Sequence, residues 1–319
     1  FKAAPPLSEF SFSVTNQYDT EIGYILLNSI VKSFGFNFYG FTLIHSILFY
    51  TLLYKALKRF DIDFSYFIII FLYKCCIFNT FVSMRQSLVL VIFLNAVYFL
   101  IKGNTKKYLL CIIPCIFLHI SSVVLIPLIF IRKLNFSKKG LIIYGLIFLA
   151  FLALNLMGIF VFNPTDLIVN IFGNSAKIMS KTEAYLVGNS SALNILSSIE
   201  TFGVWLLIVI FYNKVYKNAS HERKMIINLY LLIIPMVSLL RSFEIITRFR
   251  DYFSIFFPFV IYYISTIFGR NNRFFYNSLI FLLCFVGFYR YIYTYDSGDY
   301  ALKNYQSYLT KGVSIFGNE

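Results

Sequence analysis

Residues 241–253, RSFEIITRFRDYF, set Arg241, Glu244, Arg248, Arg250 and Asp251 between two long apolar runs. On a helix, Arg241, Glu244, Arg248 and Asp251 share one narrow arc while Arg250 points elsewhere. If the chain instead turns at EIITR, the same charges sit on a connection between two helices. A guanidinium is permanently charged and makes paired hydrogen bonds to phosphate oxygens, so gathered arginines form a natural grip for a diphosphate. The plainer reading is assembly: arginines that snorkel to an interface, or that pair with Glu244 and Asp251.

Three other stretches carry candidate chemistry. SMRQS offers Arg85 and Gln86, a cation and an amide able to hold a phosphate or a sugar hydroxyl. FLHISS offers His119 as a general base or hydrogen-bond donor, against the alternative of a buried histidine satisfied by a backbone carbonyl. YDTEIGYILLNSIVKSFG places Asp19 and Glu21 ahead of an amphipathic run. A carboxylate there could activate a hydroxyl, or could simply favour a helix N-terminus. Cys111, Cys115 and His119 recur at i, i+4 and i+8, but a metal site would want a fourth ligand, and no metal or other cofactor is expected.

The elements that must position these residues are hydrophobic throughout. The 319 residues are 59% hydrophobic, 20% aromatic and 13% charged, a composition outside that of soluble domains. A membrane-crossing helix needs about 20 mostly apolar residues. Runs of that kind lie near 38–57, 62–80, 84–101, 140–162, 196–213, 225–243, 251–268 and 274–294. The pattern predicts an all-α, polytopic membrane bundle forming a single integral domain over 1–319, with about eight full spans. The net charge of +14 comes from short Lys/Arg clusters between apolar runs, which marks cytoplasmic loops and argues against nucleic acid as a partner. The five cysteines fall within apolar runs and read as small hydrophobes.

One run decides the topology: residues 108–131, YLLCIIPCIFLHISSVVLIPLIFI. If it crosses once, the loop cations divide between the two sides of the membrane. If it enters and returns as a re-entrant hairpin, broken around HISS after Pro114, sixteen loop Lys and Arg fall on one side. The hairpin is preferred, since irregular backbone is tolerated at membrane depth where protein buries it. Arg85, Arg241, Arg248 and Arg250 then lie toward the external face, where loop-charge logic does not call for them. An arginine at that depth costs roughly 2.5–3.5 kcal/mol or more, which makes it a functional candidate by default. The external segments are 1–37, 163–195 and 295–319. The chain opens at Phe1, and a further N-terminal span is expected ahead of it.

TEIGYILLNSIVKSFG, FVSMRQSLVLVIF, KKYLLCIIPCIFLHISSVVLIPLIFI and RFRDYFSIFFPFVIYY follow one another in an order and spacing that resembles the EpsG family, itself similar to Wzy-type polysaccharide polymerases. The resemblance covers residues from about 20 to 310. It implies a GT-C-like, multi-pass glycosyltransferase of the bacterial inner membrane. Such an enzyme moves a growing glycan from one polyprenyl diphosphate onto another lipid-linked repeat unit, outside the cytoplasm. The matching positions are Glu21, Arg85, Gln86, His119, Arg248 and Tyr252. An acidic motif after a first transmembrane helix, part of the family pattern, has no counterpart here, and the base is left between Glu21 and His119. Arg85, Arg241, Arg248 and Arg250 would hold the departing diphosphate. The partners expected are a polyprenyl-diphosphate-linked oligosaccharide, membrane lipid and a protein that sets polysaccharide chain length. A flippase for the same lipids is the alternative; it should show charge deep in the cytoplasmic half and two related halves, and neither is visible in the sequence.

Overall fold

The computed structural model describes residues 1, 4–11, 20–76, 83–159, 195–240, 244–294 and 316. Among them the chain is helical throughout, with one isolated bridge between Phe36 and Phe316. It gathers into two compact units, Phe1–Ile129 with Asn277–Glu319, and Phe130–Tyr276.

The first unit begins with α1 (Ile22–Ser33), α2 (Phe38–Leu57) and α3 (Phe64–Phe71), the last running on through a π-helical turn, Leu72–Cys76. Next come α4 (Met84–Ile101) and α5 (Thr105–Leu118), followed by a 3-10 helix, Ile120–Lys133. Short polar side chains start these helices by accepting otherwise unpaired first-turn N–H groups. Asn37 accepts from Tyr39 and Gly40, Asp63 from Tyr66, and Asn104 from Lys107. The turn from α4 to α5 contains Gly103 at φ 79°, a left-handed conformation that glycine adopts without the Cβ penalty.

That tight turn lays α5 back along α4. Helix α4 is the buried centre of the unit, with Val89, Val91, Phe93, Leu94, Ala96 and Val97 wholly out of solvent. Polar bridges fix it to α2: His45 Nε2 lies 2.8 Å from the Met84 carbonyl, and Asn95 Nδ2 donates to the Leu52 carbonyl at 2.9 Å. These interhelical bonds hold the start of α4, and with it Arg85, in a fixed register.

Helix α5 stops at Leu118. His119 takes an extended conformation (φ −159°, ψ 115°), after which the backbone tightens into the 3-10 helix. The Tyr108 hydroxyl, early in α5, donates to the Leu125 carbonyl at 2.6 Å, well past the break. The chain therefore doubles back at His119, as the sequence leads one to expect at HISS.

The second unit holds α6 (Lys138–Leu156), α7 (Ile195–Ile210) with a π-helical turn Asn213–Lys217, and α8 (His221–Leu231). It continues through α9 (Ile233–Ser238), α10 (Glu244–Ser254), α11 (Phe257–Ser265) and α12 (Arg270–Thr294), whose residues from Asn277 belong to the first unit. Two of the expected continuous runs are broken here, and proline is the reason. Pro235 and Pro258 lack the N–H that would reach the carbonyls of Leu231 and Ser254, the last residues of α8 and α10.

Three described helices, Phe38–Leu57, Met84–Ile101 and Lys138–Leu156, are long and apolar enough to cross a bilayer. Of the other five expected runs, prolines split two, α3 and α7 are shorter than a bilayer crossing requires, and α12, although 25 residues long, is not among the helices that meet both criteria. Large apolar side chains face outward, among them Ile143 and Ile147 on α6 and Phe275 and Phe285 on α12, as lipid rather than water would favour. Asp19, Arg241, all of the segment 163–195 except Ile195, and nearly all of 295–319 lie outside the described residues.

Candidate functional site

Glu21 ends the extended segment before α1 and does not cap that helix with its side chain. Its carboxylate turns instead toward the break after α5. Oε1 meets His119 Nδ1 at 2.9 Å and accepts the Ile120 backbone N–H at 3.2 Å, while Oε2 accepts a hydrogen bond from Arg85 Nη1. Three residues separated by up to 98 positions thus meet at one carboxylate: Glu21 just before α1, Arg85 on α4 and His119 just after α5.

The local sequence makes this convergence feasible. A Cβ on Gly23 would fall 2.6 Å from the Phe117 carbonyl oxygen, so the missing side chain lets α1 approach the last turn of α5. The end of α5 frees the Ile120 amide and swings the His119 ring out of the helical arc. Cys115 stays within the helix, donating its thiol to the Cys111 carbonyl. The i, i+4, i+8 alignment of Cys111, Cys115 and His119 does not survive, because the helix ends before its third member. Arg85 also lies over the Tyr24 ring, 5.8 Å from its centroid.

Burial and charge give the three groups different characters. The His119 side chain is nearly buried, Glu21 is partly shielded, and Arg85 is 36% exposed. Burial alone would push the Glu21 carboxyl up. The His119 hydrogen bond, a backbone hydrogen bond and the Arg85 charge outweigh it and hold the group at about 2, from an ordinary 4.5. Glu21 is consequently a carboxylate at neutral pH and a weak proton acceptor. With Nδ1–H committed to that carboxylate, the other nitrogen of a neutral His119, Nε2, carries the basic lone pair. The arrangement combines an anchored imidazole with a guanidinium at the surface.

The other expected site residues are placed differently. Gln86 follows Arg85 on α4 but is buried inside the first unit. Arg248, Arg250 and Tyr252 lie on α10 of the second unit, where EIITR is helical from Glu244 onward. Arg250 Nη2 pairs with Asp251 Oδ1 at 3.0 Å, and its Nη1 reaches Ser197 Oγ on α7 at 3.5 Å. Arg248 is half-buried. Tyr252 is fully enclosed in the unit's core.

Tyr24, Gly23 and the Ile120 amide are the members that residue-by-residue reading passed over. A glycine two residues after a candidate acid was the one available hint, since close backbone approach is what an interior helical glycine permits.

Residues 3–307 match the model of the EpsG family. The chain belongs to the EpsG family. This family is associated with polysaccharide polymerases, which makes the chain a membrane protein of polysaccharide biosynthesis. The EpsG match includes Glu21, Arg85 and His119, and it extends over both units. Neither the curated proteins nor the solved structures provide a match to this EpsG-family chain.

Proposed function

We propose that this chain is a glycosyltransferase that polymerises polyprenyl-diphosphate-linked oligosaccharide repeat units at the outer face of a bacterial inner membrane. The observation that carries the reading is the single carboxylate joining a histidine and a half-buried arginine. Glycosyl transfer from a lipid diphosphate asks for two things at one place: a base for the attacking hydroxyl and positive charge for the departing diphosphate.

His119 takes the first role. An acceptor sugar hydroxyl attacks the donor anomeric carbon, a new C–O bond forms, and the bond from that carbon to the diphosphate oxygen breaks. Nε2 receives the hydroxyl proton, and Glu21, fixed on Nδ1, holds the ring in place and stabilises the resulting imidazolium. Glu21 is thus a positioning residue, its carboxyl held too low to serve as the base. Arg85 takes the second role: a guanidinium has five N–H donors, and the bond to Glu21 uses one. On sequence grounds alone Arg241, Arg248 and Arg250 are further candidates for phosphate recognition, and Gln86 and Tyr252 are candidates from the resemblance. The hairpin reading of residues 108–131, combined with the positive-inside rule, supports an external level for the site.

The test is polymerisation of a purified lipid-linked repeat unit by the full chain in nanodiscs. His119→Ala should slow chain growth by about 10²–10⁴-fold, the usual worth of a positioned acid or base. Arg85→Ala should also lose rate, with Arg85→Lys recovering only part, because ammonium lacks the planar fork. Wild-type rates in both alanine variants would refute the assignment.

A further inference from the structure

A polar cleft lies in the Phe130–Tyr276 unit, and the glycosyl-transfer reading gives it no work. It is a cleft of about 240 Å³ lined by Arg132, Lys133, Leu134, Asn135, His221 and Lys224, with Met225 and Asn228 at its floor. Three permanent cations and a histidine meet there, and no acid is among the lining residues. Glu222, the neighbour of His221 on α8, is not part of the lining. Like charges gathered in this way repel one another, so the unliganded arrangement carries a cost that a bound anion would relieve.

The walls are pinned. Asn228, buried on α8, donates to the Leu134 carbonyl at 2.8 Å and accepts from the Tyr216 hydroxyl. Tyr216 in turn accepts the Phe136 N–H at 3.0 Å, and Tyr212 donates to the Phe136 carbonyl at 2.8 Å. A chain of four hydrogen bonds therefore ties the connection from the 3-10 helix to α6 to α8 and to the π-helical turn before it, and Arg132 and Lys224 line the same cleft. Helix α8 also starts at the cleft, and its first-turn amides add positive potential.

Size and surroundings narrow the ligand. The volume falls below the roughly 300–1,000 Å³ of pockets for drug-sized molecules, so a phosphate-bearing headgroup suits it better than an oligosaccharide. Leu134 is exposed on the lining and Phe130 is 76% exposed just before it, giving apolar surface beside the cations. The candidate span α6 begins five residues beyond Lys133, so the cleft belongs at a membrane–water boundary. Basic pockets of this kind at helix ends take anionic lipid headgroups. We propose that the cleft binds the phosphate of an anionic phospholipid in the cytoplasmic leaflet, anchoring the second unit there.

The test is native mass spectrometry of the full chain titrated separately with phosphatidylglycerol, phosphatidylcholine and inorganic phosphate. Each cation is worth roughly fivefold in affinity near an anionic surface, so R132Q/K224Q should weaken phosphatidylglycerol binding on the order of thirtyfold. K138Q/K139Q, which removes the same charge from the start of α6, is the matched control and should weaken binding much less than R132Q/K224Q, because neither lysine lines the cleft. Asn135→Asp, which places an acid in the lining without touching a cation, should also weaken binding. Equal effects of the two double variants, or equal binding of phosphatidylcholine, would overturn the site. Displacement of phosphatidylglycerol by inorganic phosphate at matched concentration would overturn the lipid assignment in favour of a soluble phosphate.

Discussion

Glu21 is the residue on which the candidate site turns, and its charge state gives it a measurable signature. Its folded-state value, about 2, lies below the ordinary 4.5, so the carboxylate contributes stability that is fully present above pH 4.5. That contribution fades as pH falls from 4.5 toward 2. Glu21→Gln should therefore lower the thermal midpoint in detergent at pH 7, and the gap from wild type should shrink between pH 5 and pH 3. A gap that stays constant across that window would mean the carboxylate is not held by His119 and Arg85. The residue types were legible from the sequence, since an acid, an arginine and a histidine in a hydrophobic chain each ask for a reason. Their meeting was not. Glu21 and His119 stand 98 positions apart, and no periodicity or spacing in a single sequence encodes a contact of that range. The choice of base was open for the same reason, because only the hydrogen bond separates a low carboxyl from an anchored imidazole.

At the scale of elements, two features bring those side chains within reach: the close approach of α1 to α5 and the break at His119. Gly23→Ala would place a methyl group 2.6 Å from the Phe117 carbonyl oxygen, so α1 must move away and carry Glu21 with it. A shift of about 1 Å at a catalytic constellation can cost on the order of 10²-fold in rate. The expected outcome is a large fall in polymerisation with unchanged helix content by circular dichroism; an unaffected rate would show that the spacing does not matter. Tyr108→Phe tests the fold-back itself. It leaves the Leu125 carbonyl without its donor in a buried setting, which should cost about 1–3 kcal/mol by denaturant unfolding while the rate is retained in the folded fraction. Asn37, Asp63, Asn104, Ser137 and Ser220 cap their helices, a start signal that bounding runs by length and hydropathy does not use. The divisions before Pro235 and Pro258 were readable in principle from the same rules. Long apolar stretches conceal them when the criterion is length and hydropathy alone.

At the scale of the whole molecule, the fold-back at His119 favours one of the two topologies that residues 108–131 allow. A segment that crosses once puts the connection after Ile101 and the connection after Lys133 on opposite sides. A hairpin puts them on the same side, together with sixteen loop cations, which the positive-inside rule assigns to the cytoplasm. The 14 residues of α5 extend about 21 Å at 1.5 Å per residue, short of a full hydrocarbon core of about 30 Å, so α5 alone does not complete a crossing. Single cysteines in a cysteine-free background separate the alternatives. Lys106→Cys and Asn135→Cys, both at exposed connection or helix-start positions, should resist a membrane-impermeant maleimide in intact cells and react after permeabilisation. Phe34→Cys, exposed after α1, should react before permeabilisation and report the external face. If Lys106→Cys and Asn135→Cys differ, the run crosses once, and the external level assigned to Arg85, Glu21 and His119 loses its charge argument. If they agree and Phe34→Cys differs from both, the same carboxylate that joins arginine to histidine stands on the side where a lipid-linked glycan would be extended.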